Sequence, residues 1–184
     1  MTATAPRVKP AKPLLDRLVV RAPGRAAQGW LTAGPFRLRC ALGPAGIVHR
    51  KREGDRATPA GKFALLWAYY RPDRGLRPRS GLAMLPMRMD QGWCEDPASR
   101  NYKRPVRVAN EAGVDHMWRT DGLYDVTIVL DYNFTRRKKG AGSAIFFHHA
   151  RPGLTPTLGC VAIRPGDMRK LLPRLSQKAK MRIV

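Results

Sequence analysis

The sequence predicts a mainly β domain with a few helices. Short apolar or alternating runs recur along the chain, 17 Gly and 16 Pro punctuate them, and only two stretches show helical periodicity. Hydrophobic residues make up 43% of the 184 positions, a globular fraction that excludes a chain disordered throughout. A chain of this length buries roughly 70% of its unfolded surface, enough for a core without metal or disulfide staples.

The elements follow in order. Residues 1–13 hold three prolines and three basic residues and read as a flexible arm without the apolar stretch of a secretory signal. Residues 14–184 read as one domain. Strands are expected at Leu14–Val20, Trp30–Leu31, Phe36–Leu42, Lys62–Tyr70, Met84–Met89, Leu123–Tyr132, Ser143–His149, Cys160–Arg164 and Ala179–Val184. In Phe36-Arg37-Leu38-Arg39-Cys40 the even positions are apolar, which puts Cys40 on the buried face. One helix is expected at Ala109–Arg119. Another is expected at Asp167–Gln177, where Met168, Leu171, Leu172 and Leu175 form one stripe and Pro165 stands near the first turn. No apolar run approaches the ~18 residues of a membrane span.

Lys and Arg number 35 against 13 Asp and Glu, a formal net charge of +22. Such a surface attracts polyanions: nucleic acid, anionic lipid or an anionic cell-wall polymer. It is equally the solvated surface of an Arg-rich protein. No helix-turn-helix, RNP motif or lysine-rich tail is present, so nucleic acid is not the expected partner. A basic nucleic-acid-binding module with a structural cysteine stands as the alternative of another class. Cys40, Cys94 and Cys160 cannot form a disulfide framework. At most one bridge is available, and Cys94 with Cys40 is a candidate in an oxidising compartment.

The chemistry concentrates between Ser143 and Arg164. One strand ends at His148-His149, and after a loop holding two Pro and two Gly another begins at Cys160. Antiparallel pairing would set the strand end about 5 Å from the strand start. It would bring an imidazole to a thiol as a thiolate–imidazolium pair, the activated nucleophile of acyl transfer. Gly159 permits close backbone approach, and the N–H groups of Gly159 and Cys160 are the candidate oxyanion donors. A strand-start cysteine is also ordinary core filler, and the residues alone leave both readings open. A zinc site of His148, His149 and Cys160 is disfavoured, because adjacent strand residues face opposite ways and no fourth ligand is evident. No metal and no cofactor are expected.

His148 followed by Thr157-Leu158-Gly159-Cys160-Val161 resembles the catalytic motif of the L,D-transpeptidase (YkuD-like) family. Lys51-Arg52-Glu53-Gly54-Asp55-Arg56-Ala57-Thr58-Pro59-Ala60-Gly61-Lys62-Phe63 resembles that family's Gly-Asp-x-x-Thr-Pro-x-Gly stretch preceding a strand. Tyr70-Arg71-Pro72-Asp73-Arg74, with Gly92-Trp93-Cys94-Glu95-Asp96-Pro97, resembles a compact Gram-negative branch. Together these span about residues 36 to 175. The upstream stretch is also what any tight turn entering a strand looks like, with Gly and Pro setting the backbone and Asp capping it.

The resemblance implies a β-sandwich-like catalytic domain that acylates a cysteine with a peptidoglycan stem peptide and passes the acyl group to an amine. Carried over by position, Cys160 is the nucleophile and His148 the base, oriented by the His149 carbonyl. Many relatives have His before the Gly-Cys pair and Arg two residues after Cys. Here those positions are Leu158 and Ala162, so Arg164 or Arg151 is expected to take the substrate carboxylate, with Thr157, His49 and Arg50 as further binding candidates. These departures fit a cross-link between L-Ala and diaminopimelate rather than between two diaminopimelates. Hydrolysis of the same acyl-enzyme, as an L,D-carboxypeptidase or endopeptidase, is the alternative. A monomer acting on donor and acceptor stem peptides in the periplasm or cell envelope is the expected context.

Overall fold

The computed structural model describes residues 14–110, 113–142 and 144–184; the expected N-terminal arm and Ser143 lie outside them. Fourteen strands and one α-helix follow in chain order: β1 Leu15–Arg21, β2 Gln28–Ala33, β3 Phe36–Ala41, β4 Ile47–Val48, β5 Thr58–Pro59, β6 Gly61–Tyr70, β7 Met84–Pro86, β8 Gln91–Cys94, β9 Pro105–Arg107, β10 Val114–His116, β11 Val126–Leu130, β12 Phe146–His149, β13 Val161–Ile163, α1 Pro165–Leu171 and β14 Leu175–Ile183. The fold is mainly β, as the periodicity predicts.

The main sheet runs β11-β12-β13-β3-β2-β1-β14-β6-β7, and β6 also pairs with β11. β6 does both by dividing its length: residues 61–64 pair with β14 and residues 65–70 with β11. The ladder therefore returns on itself, and the sandwich is one sheet curled around its core. Period-two alternation supplies that core. On β14, Ala179, Met181 and Ile183 point inward and Lys178, Lys180 and Arg182 point out. Leu18, Leu31, Cys40, Ile128, Phe147 and Val161 meet them inside.

A smaller sheet, β10-β8-β9, belongs to a second cluster. Trp93 of β8 and Met117 pack there against Tyr69, Val129 and Phe146, the outward residues of β6, β11 and β12. Adjacent residues on β12 thus serve different cores, Phe147 the inner one and Phe146 the outer one.

Both expected helices change. Over 109–119, the described residues form a 3-10 turn at Val108–Asn110 and strand β10; residues 111 and 112 lie outside the description. Pairing decides this outcome: Asp115 lies opposite Trp93 and Val114 opposite Cys94. The second helix ends at Leu171 and passes through a 3-10 turn, Leu172–Arg174, into β14. Pro173 explains the stop, since it lacks an N–H and its ring clashes with the preceding turn.

Candidate active site

β12 and β13 pair in parallel, not antiparallel, with Phe147 opposite Val161 and His148 opposite Ala162. The loop between them crosses over instead of turning back because its middle is anchored under the sheet. Leu154 is buried with Ala41, Ala150 and Ala162. Gln28 donates to the Leu154 carbonyl at 3.1 Å, and the Thr157 N–H donates to the Leu42 carbonyl at 2.9 Å.

Parallel register still puts thiol and imidazole in one cleft. Cys160 lies just before β13, level with Phe146, whose N–H donates to Sγ at 3.3 Å. His148 is two residues further along the neighbouring strand, about 7 Å on at the usual rise. Two is an even step, so His148, Phe146 and Cys160 share the outer face. His149 is one step off and faces the other way, where its Nδ1 meets the Gly122 carbonyl at 3.2 Å.

The His148 imidazole is held on two sides. Its Nδ1 lies 2.8 Å from the His149 carbonyl, and the Tyr124 ring meets it edge-on at 5.2 Å. A carbonyl only accepts, so Nδ1 carries the proton and Nε2 is left as the basic nitrogen. Tyr124 donates its hydroxyl to Asp115 of β10 at 3.0 Å, which ties the small sheet to the imidazole's wall.

Burial sets the charge states. It presses the His148 imidazole down to about 4, against the opposing hydrogen bond to the His149 carbonyl. It pushes the Cys160 thiol up to about 12, with the Phe146 N–H and Lys51 acting against it and Asp115 and Glu95 with it. Burial thus favours the neutral thiol and the neutral imidazole over the thiolate–imidazolium pair expected from adjacency, because both ions would lose their hydration.

The upstream stretch braces the backbone at Cys160. Asp55 accepts from Lys51 Nζ at 2.5 Å and from the Arg52 and Ala57 N–H groups at 2.6 and 2.9 Å. Burial favours the protonated carboxyl, yet these donors together hold it below the ordinary carboxylate range. Thr58 is fully buried and accepts from the Gly43 N–H. Gly159 has φ +133°, and a Cβ there would come within 2.6 Å of the Ala57 carbonyl oxygen. The capping role expected of Asp55 thus fixes a turn whose backbone backs the Gly159–Cys160 pair.

Thr157 acts on the same backbone. Its Oγ1 donates to the Cys160 carbonyl at 2.7 Å and accepts from the Gly159 N–H at 3.1 Å. The Gly159 N–H, expected as an oxyanion donor, is therefore engaged within the loop. Of the two candidates, the Cys160 N–H is the one that remains.

These groups open into a cleft of about 350 Å³ lined by Cys160, His148, Tyr124, Thr157, Leu158 and Arg151. Acidic Glu53, Glu95 and Asp115 and basic Lys51, Arg56 and Arg119 complete its walls. Arg164 lies outside this lining and precedes α1 as its N-cap. His49 and Arg50 face grooves elsewhere on the surface. Lys51, Tyr124, Asp115 and Arg119 were not picked out by the sequence. Cys40 sits in the inner core and Cys94 on β8, and no disulfide joins the described cysteines. Among the described residues no cluster of three metal-ligating side chains occurs, and no helix is long and apolar enough to cross a membrane.

A buried thiol and a buried imidazole thus line one polar cleft on a curled β-sheet. Residues 19–183 match the YkuD family, the L,D-transpeptidase catalytic domain, and the chain belongs to that family. Comparison with curated proteins and with solved structures returns no match.

Proposed function

We propose that this domain is a peptidoglycan L,D-transpeptidase that works through a Cys160 acyl-enzyme in the periplasm or cell envelope. The observation that carries the reading is the hydrogen bond from His148 Nδ1 to the His149 carbonyl, which leaves Nε2 as the base on the face that Cys160 occupies. As Sγ attacks the stem-peptide carbonyl carbon, Nε2 takes the thiol proton. The oxyanion forms near the Cys160 N–H, and collapse expels the amine with the proton returned from His148. A thioester remains on Cys160. An incoming amine then gives its proton to His148 and attacks the thioester, so a new amide forms and the thiol is released protonated.

The charge pattern of the cleft supports transfer to an amine. Arg151 and Arg119 suit a donor carboxylate, and Arg151 lines the cleft where Arg164 does not. Glu53, Glu95 and Asp115 suit the ammonium group of an acceptor. The test is incubation with purified muropeptides and mass analysis of the products. Cross-linked dimers that disappear in Cys160→Ala are expected. Shortened monomers without dimers would replace transfer by hydrolysis.

A further inference from the structure

The charge of this protein is unevenly placed. All seven ion pairs among the described residues lie away from the outer face of β1 and β14. That face carries Arg17, Arg21, Lys62, Lys178, Lys180 and Arg182 around one groove. Asp16 is the acid there, and it accepts a hydrogen bond from Ser176. On the adjoining strands Arg37 and Arg39 flank the Trp30 ring at 4.5 and 5.1 Å, and Trp30 lies opposite Arg21.

This array works against folding. Arg17 is the register partner of Lys180, and Lys62 of Arg182. Like charges directly opposite one another destabilise a sheet. An external anion that neutralises them turns that cost into binding.

We propose that the outer face of β3-β2-β1-β14-β6 docks the domain onto an anionic phospholipid surface. The cations are spread in two dimensions over β3, β1, β14 and β6, which matches a plane of phosphates better than a single polyanionic strand. Most of them are Arg, whose guanidinium pairs with phosphate in a bidentate fork. Trp30 stands among them as an aromatic of the type enriched at membrane–water interfaces. The docking is peripheral and uses no residue of the Cys160 cleft.

The test is co-sedimentation with phosphatidylcholine vesicles made with and without phosphatidylglycerol. Binding to the anionic vesicles alone is expected, and it should weaken with salt. Each cation near such a surface is worth about fivefold in partitioning. Arg17→Gln/Lys180→Gln/Arg182→Gln should therefore bind about 100-fold more weakly, while Arg100→Gln/Arg169→Gln/Lys170→Gln, which removes the same charge from elsewhere on the surface, loses far less. Turnover of soluble muropeptides by the first triple variant should stay unchanged. Cys160→Ala should bind the vesicles as the parent does, which keeps this result separate from the proposed chemistry. Equal losses in the two triple variants would overturn the proposal. So would a first triple variant that loses affinity for a DNA duplex but not for the vesicles.

Discussion

His148 Nδ1 lies 2.8 Å from the carbonyl oxygen of His149, its own neighbour in the chain. The orienting group of this imidazole is therefore a peptide bond, not an acidic side chain. It fixes the tautomer without placing a negative charge beside a buried ring, and so leaves the imidazole's basicity low.

This relationship predicts an asymmetric pair of variants. His148→Ala removes the proposed base and should lower turnover roughly 10²–10⁴-fold. His149→Ala keeps the orienting carbonyl and should cost far less. Paired kinetics on muropeptides, with circular dichroism to confirm folding, distinguish them.

The protonation states predict pH behaviour with a definite sign. With the thiol pushed up to about 12, alkylation of Cys160 by iodoacetamide should keep rising through the alkaline range rather than level off near neutrality. His148 is held at about 4 in the fold against 6.5 as its ordinary value. The unfolded chain therefore binds more protons between those values. Stability is full above about 6.5 and falls as pH drops toward about 4. His148→Gln should flatten this slope in thermal melts recorded across that window. The burial of His149 acts in the same direction and leaves a residual slope.

Gly159 predicts a packing cost. With φ +133° and the Ala57 carbonyl oxygen 2.6 Å from a would-be Cβ, Gly159→Ala combines backbone strain with a clash against main chain. A loss of about 2–3 kcal/mol is expected, measurable by urea unfolding, together with a large fall in activity because Cys160 is the next residue.

Tyr124 predicts a division between ring and hydroxyl. Tyr124→Phe keeps the edge-on contact with His148 and loses the bond to Asp115. It should lower turnover by less than about tenfold, within the range of one lost hydrogen bond. Tyr124→Ala also removes the wall of the imidazole and should cost more in kcat than in KM.

Much of this was legible in the sequence, for reasons that differ by element. The alternation of β3 and β14 is a local signal and marks the strands directly. The His148 and Cys160 candidates came from the motif at a strand end and a strand start, whereas the face they share depends on the parallel register. Parallel pairing was not legible, since Pro and Gly in the 150–159 loop suit a reversal and a crossover alike. Burial of Leu154 chooses between them, and that depends on Ala41 and Ala162. Lys51 drew no role of its own beside His49 and Arg50 because a basic run has no face until the two-residue strand Ile47–Val48 pairs with Thr58–Pro59. Asp115 belongs to a stretch with weak helical periodicity that pairing with Trp93 overrides. Pro173, by contrast, was a visible signal for the early end of α1.

The proposed acyl-enzyme singles out Cys160 among three buried cysteines. A carbapenem is a strained acyl donor that needs a deprotonatable thiol and an oxyanion site. Peptide mapping by mass spectrometry after carbapenem treatment should place the adduct on Cys160 alone, with none in Cys160→Ala and slow formation in His148→Ala. An adduct on Cys40 or Cys94 that persists in Cys160→Ala would contradict the account.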